Sequence, residues 1–214
     1  MTLLPQSEQM RRNMVDSQLR TDGVNAPWII AAMLATPRER FVIGDPSVAY
    51  MDRSVSLGGG RMLNPPTAVG HMLMAAQPKP DDHALLVGAG TGYLATLLKT
   101  RIASFVAVEE SAELADKFES NCPDMTLLRS DNQAGAPDSA PFDLIIIDGA
   151  IEELPQALVD QLSDGGRIVT GITDGPVTRL ATGVKRGDHL ALRPVADMEI
   201  APLPGFARAR EFVF

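Results

Sequence analysis

The sequence is poor in cysteine, with Cys122 alone in 214 residues, so no internal disulfide can form and a disulfide-stapled secreted scaffold is excluded. Its three histidines, His71, His83 and His189, lack metal-ligand spacing, which leaves no zinc motif. No apolar run approaches the roughly 20 residues that span a bilayer, and the first thirty residues do not run basic-then-apolar as a secretion signal does. A cytoplasmic protein without membrane contact is expected. Basic charge is in deficit: 19 Lys and Arg stand against 27 acids, a net charge of -8. That balance argues against a nucleic-acid binder, which needs clustered cations for phosphate contacts. Aromatic residues make up only 5% of the chain, so the core must be mainly aliphatic. Met10, Met14, Met33, Met72 and Met74 are read as core filler, and Trp28 as a packing residue of the second helix.

What is present is organised in three stretches: N-terminal helices and a covering loop over 1–64, a core over 65–175, and a C-terminal edge over 176–214, together one domain. Ser7 is read as the cap of a helix through "EQMRRNMVDSQLR" that ends before Gly23, and Asn25 as the cap of "APWIIAAMLA", which Pro37 stops. Residues 38–66, rich in glycine and proline, read as irregular. Then short apolar runs alternate with helical segments: "ALLVG", "SFVAVE", "MTLLRS", "FDLIIID" and "GRIVTGI" as strands, "GYLATLLKTR", "SAELADKFESN" and "ELPQALVDQL" as helices. Nearly all-apolar strands alternating with helices predict an α/β fold, a doubly wound, mostly parallel sheet covered on both faces. The tail, "VTRLATGVKR", "HLALRPV" and "RAREFVF", alternates as antiparallel edge strands do.

The stretch "ALLVGAGTGY" places Gly88, Gly90 and Gly92 two residues apart at the first strand-to-helix turn of the core. In such sheets ligands lie outside the carboxyl ends of the strands, and this turn is the commonest contact. A dinucleotide fingerprint would need glycine where Tyr93 stands, and no Gly-Lys-Ser/Thr follows, so neither that cofactor nor a Walker loop fits. Glu109, at the end of the next strand, has the spacing of a carboxylate that accepts from a sugar diol; Glu110 suits the solvent-facing helix start. Asp131, after the third strand, can accept from an exocyclic amine or simply make its turn.

Together these residues resemble a class I S-adenosylmethionine-dependent methyltransferase. "MVDSQLRTDGV", "AAMLATPRERFV", "AYMDRSVSLGGGRMLNPP", "GAGTGYLATLL", "PFDLIIIDGAIEELP", "QLSDGGRIV" and the closing "FVF" narrow the resemblance to the protein-L-isoaspartate O-methyltransferase family over nearly the whole chain. The resemblance implies that Gly88, Gly90 and Gly92 hold the methionine part of S-adenosylmethionine, Glu109 its ribose and Asp131 its adenine. It also implies a protein or peptide carboxylate as methyl acceptor, in a repair reaction.

Three positions depart from that pattern. Where the family carries Thr-Ile-Ser before proline, this chain has Met62-Leu63-Asn64, so the serine of the reaction centre is Asn64. Leu86 replaces an acid two residues before Gly88. Asp148 stands where the family has threonine, free either to meet substrate, metal or cofactor or to cap its turn. Asn64 before Pro65 also reads as a helix cap, compatible with a catalytic role. Arg38 and Arg40 are read as substrate-carboxylate partners or as ion pairs of the N-terminal layer, His71 as an ordinary helix residue and Asp81-Asp82 as a solvated turn. Three functions stay open: the isoaspartyl methyltransferase, a relative that methylates another acceptor, and a non-catalytic binding protein on the same fold.

Overall fold

A computed structural model describes residues 6–102 and 104–208 of the chain. Among the described residues, seven strands form one sheet in the order β5-β4-β3-β6-β7-β8-β9. Its parallel part consists of β3 (His83–Val87), β4 (Ser104–Val108), β5 (Leu127–Leu128), β6 (Phe142–Ile151) and β7 (Leu162–Asp174). β8 (Val177–Val184) and β9 (Arg193–Asp197) continue it antiparallel. The chain leaves β3 through α4 (Tyr93–Lys99) to β4 on one side, and returns from β5 to β6 on the other. That reversal opens a crevice at the carboxyl ends of β3 and β6. The two faces of β3 separate the core: Leu86 joins the N-terminal layer, whereas Leu85 and Val87 pack with Val106, Ile145 and Leu158. The position of the missing acid is thus an ordinary core leucine.

Tertiary partners change several local expectations. The first helix, α1 (Gln6–Met14), passes into a π-type turn over Val15–Leu19. α2 (Pro27–Ala35) is preceded by Ala26 as N-cap, not Asn25, because Pro27 already supplies the first helical position. Residues 38–66 are not wholly irregular. They contain two 3-10 turns and a short antiparallel hairpin, β1 (Val55–Gly58) with β2 (Arg61–Leu63). α3 (Pro66–Ala76) has Pro65 as N-cap, so Asn64 is free of the capping duty expected of it.

Asp82 is buried and ion-paired with Arg167, not solvated. Met14, Met33 and Met72 fill the core as expected, whereas Met74 is exposed. In the tail, β8 and β9 pair antiparallel; residues 209–214 of "RAREFVF" lie outside the described residues. Two further helices, α5 (Ala112–Asn121, capped by Ser111) and α6 (Gln156–Asp160), complete the covering layers.

Candidate active site

The glycine turn sits at the switch point. Gly88, Gly90 and Gly92 have φ of +70°, +56° and +96°, values that side-chain-bearing residues rarely adopt. A Cβ on Gly92 would stand 2.6 Å from Cys122 Sγ, so this glycine also lets α5 approach. Tyr93, which begins α4, packs edge-on against Phe41 with centroids 5.4 Å apart and lies under the Arg38 guanidinium at 4.6 Å. That contact fixes the turn to the N-terminal layer.

Glu109 is wholly buried and faces the turn, while Glu110 is exposed. Its two oxygens accept from the Gly90 amide (2.7 Å), the Ser111 amide (3.0 Å) and Arg61 Nη1 (2.9 and 3.0 Å). Arg61 Nη2 donates to the Gly88 carbonyl at 2.9 Å. No sequence signal had marked Arg61; an arginine after three glycines reads as a surface loop, and only the fold brings it to a residue 48 positions on.

Asp131 is exposed, and its Oδ1 accepts from the Gln133 amide. It makes its own turn through that oxygen, one of the two roles read for it. The neighbouring Asn132 is buried instead, accepting from the Gly88 amide at 3.2 Å, with its Nδ2 lacking a partner among the described residues.

Asp148 reaches the crevice through a bulge. Between the pairs Ile146↔Val169 and Ala150↔Gly171, β6 carries Ile147, Asp148 and Gly149 opposite Thr170 alone. Such insertions bend a strand and redirect its side chains. Asn64 bridges the site, donating from Nδ2 to Asp148 Oδ1 at 2.7 Å and accepting the Ala201 amide at 2.8 Å. Asp148 keeps a narrow opening to solvent, yet desolvation pushes its pKa up, with the Glu109 charge adding to the rise. The Asn64 amide and the Arg61 and Arg38 cations pull the other way without cancelling it.

Arg38 takes neither expected role. Fully buried, it donates to the carbonyls of Ala49 (2.7 Å) and Asn64 (2.5 Å), and burial lowers its pKa. Arg40 is exposed. His71 bonds Asp22 at the surface, and among the described residues no group of three or more His, Cys, Asp or Glu could hold a metal ion. The segment after β9 closes the site from above: Ala150 exchanges backbone bonds of 2.8 Å with Ala201 and Leu203. A Cβ on Gly88 would stand 3.0 Å from Leu203 Cδ1, and one on Gly149 2.7 Å from Leu203 Cβ.

The family model of protein-L-isoaspartate(D-aspartate) O-methyltransferase matches residues 9–204. A protein-L-isoaspartate O-methyltransferase of Koribacter versatilis is 34% identical over 202 residues, 91% of this chain and 90% of its own length. One of Methanoculleus marisnigri is 33% identical over 201 residues, 91% of each chain. Among solved structures, a candidate protein-L-isoaspartate O-methyltransferase of Plasmodium falciparum, in complex with S-adenosyl-L-homocysteine, is 18% identical. It superimposes with a TM-score of 0.74 over 94% of this chain and 99% of that one, a likeness in fold. The seven-stranded sheet, the buried acid after β4 and a sequence match along nearly the whole chain therefore agree: the chain belongs to the protein-L-isoaspartate(D-aspartate) O-methyltransferase family.

Proposed function

We propose that the protein is an S-adenosylmethionine-dependent methyltransferase that transfers a methyl group to a protein or peptide carboxylate. The observation that carries this reading is the amide link from Gly90 to Glu109, which places a buried carboxylate directly against a glycine turn at the switch point. The donor set suits an adenosyl ligand: the three glycines of the turn have no side chains of their own, Glu109 can accept from a diol once its Arg61 contact is released, and Asn132 Nδ2 is a buried donor without a partner among the described residues. When bound, S-adenosylmethionine supplies a methyl group already activated on a sulfonium, so the chain's task is to align an acceptor and exclude water. Gly88, Gly90, Gly92 and Glu109 hold the cofactor, with Asp131 and the buried Asn132 beside it on the adenine side.

Asn64 and Asp148 form the acceptor side. Both polar functions of the Asn64 amide are already engaged, by Asp148 and by Ala201, so Asn64 acts by holding Asp148. An ionised Asp148 would repel an incoming carboxylate, whereas its protonated form, which burial favours, donates a hydrogen bond to one. Transfer to a carboxylate should therefore weaken as pH rises through the raised Asp148 pKa. The reading in which another acceptor is methylated has the same residue in its favour: a neutral amine or hydroxyl needs a base, and its methylation would rise with pH instead.

A radiolabelled-methyl assay on an isoaspartyl peptide, run across pH, decides between them. Turnover that falls with pH and is lost in Asp148→Ala supports the carboxylate acceptor. The absence of any turnover on that peptide, by a protein that binds the cofactor, refutes it.

A further inference from the structure

We propose that Arg61 is a built-in occupant of the ribose subsite, and that the protein takes up its cofactor only after this side chain has moved out. The inference rests on the cofactor reading above. An ionised carboxylate has about four lone-pair sites, and each Glu109 oxygen already meets two donors: Arg61 Nη1 bridges both, the Gly90 amide adds to Oε2 and the Ser111 amide to Oε1. A diol can gain Glu109 only by taking the place of the guanidinium.

The space above the turn is filled as well. Arg61 Nη2 lies 3.3 Å from the position a Cβ would have on Gly88 and 3.9 Å from that on Gly90, with Leu203 and Leu57 completing the cover. Gly88 and Glu109 follow directly on β3 and β4 of the main sheet, whereas Arg61 rides on the small β1–β2 hairpin. The hairpin anchors Val55, Leu57 and Leu63 in the core, while its register shifts between Ser56 and Gly58. Just before Arg61, Gly58, Gly59 and Gly60 have φ of +87°, +56° and +79°. Nothing lies within 4 Å of the Cβ positions of Gly58 and Gly59. This run of glycines gives the backbone freedom to swing the arginine while the sheet stays in place.

The ion pair is self-limiting. Both partners are taken from water, a cost that their attraction offsets only while the geometry holds, so a ligand that supplies Glu109 with two hydroxyl donors can compete with Arg61 for it. A protein whose open form is a minor fraction binds with an affinity reduced by that fraction. Arg61 thereby sets the cofactor concentration at which the enzyme becomes loaded.

Calorimetric titration of the full chain with S-adenosyl-L-homocysteine tests this in wild type, Arg61→Gln and Arg61→Ala. Arg61→Gln retains donors for Glu109 and guards against loss of fold, which circular dichroism checks. Binding at least about tenfold tighter in either folded variant is expected. Folded variants that bind no tighter than a wild type that does bind overturn the role of Arg61 and leave the cofactor reading standing. No binding by any of the three at millimolar ligand overturns both.

Should both variants fail to fold, arginine-labelled wild type decides by NMR. A buried, slowly exchanging guanidinium signal of Arg61 should disappear on saturation with S-adenosyl-L-homocysteine, and its persistence at saturation would overturn the proposal.

Discussion

Replacing Asn64 with aspartate asks whether the amide is there for its donor. The change preserves shape, and the Ala201 amide keeps an acceptor. What changes is the atom 2.7 Å from Asp148 Oδ1, where an N–H donor becomes a second carboxylate oxygen. Two carboxylates at that distance cannot both ionise, so the pair retains one proton and titrates as a unit. An aspartate in the unfolded chain has a pKa of about 3.9, and each tenfold change in proton affinity corresponds to about 1.4 kcal/mol. Holding one proton on the folded pair at about pH 7 thus costs up to about 4 kcal/mol relative to the unfolded state.

The sign follows from the folded pKa lying above the unfolded one. The protonated pair is stable below the unfolded value, and its contribution is lost as pH rises toward the folded value. Asp148 already has a raised pKa in the wild type, so part of this slope is present before substitution, and the difference between the two proteins falls below that ceiling. Asn64→Ala serves as the reference. It strands the Ala201 amide and removes a bond to Asp148 without adding a charge, about 2–4 kcal/mol, and has a much flatter dependence on pH. Urea unfolding followed by circular dichroism at about pH 4.5 and about pH 7.5 measures all three. Asn64→Asp should sit near wild type at the lower pH and lose several kcal/mol at the higher one. A destabilisation equal at both pH values would refute the account of the Asn64–Asp148 contact.

Two further outcomes follow from the packing around α5. Gly92→Ala should destabilise the protein by about 2–4 kcal/mol, from overpacking and the left-handed backbone together, and Cys122→Ala in the same chain should recover part of the loss; strictly additive melting data would contradict the Cys122 clash. Cys122 is buried, and desolvation raises its thiol pKa, so a disulfide reagent should modify it slowly at about pH 8 until denaturant is added. Rapid labelling of the native protein would show that the packing of α5 is looser than described.

The parallel sheet was legible because buried strands such as "LIIID" carry almost nothing but apolar residues, and because the glycine spacing and Glu109 belong to one local unit of strand, turn, helix and strand. Asn64 was misread for the opposite reason. Asn-Pro-Pro before a helix carries a local capping signal, and the partners that override it lie 84 and 137 residues further along the chain. Arg38 and Asp82 failed in the same way and Arg61 carried no signal for the same reason: each is a polar residue in a loop-like stretch whose burial depends on a segment distant in sequence, the farthest 85 residues away. Asp131 and Asn132 were indistinguishable until the turn gave one to solvent and the other to Gly88.

The two margins of the sheet bear on how this protein meets other chains. At one side β5 offers only Leu127–Leu128, too short a row of amides and carbonyls to template another strand. At the other, β9 runs Arg-Pro-Val-Ala-Asp with Val195 outward at 54% exposure; the proline removes a donor and the flanking charges resist a second copy. Edge-to-edge stacking into larger sheets is therefore disfavoured on both sides. A polypeptide that docks on the described part of the sheet finds little free backbone ladder to extend at either margin.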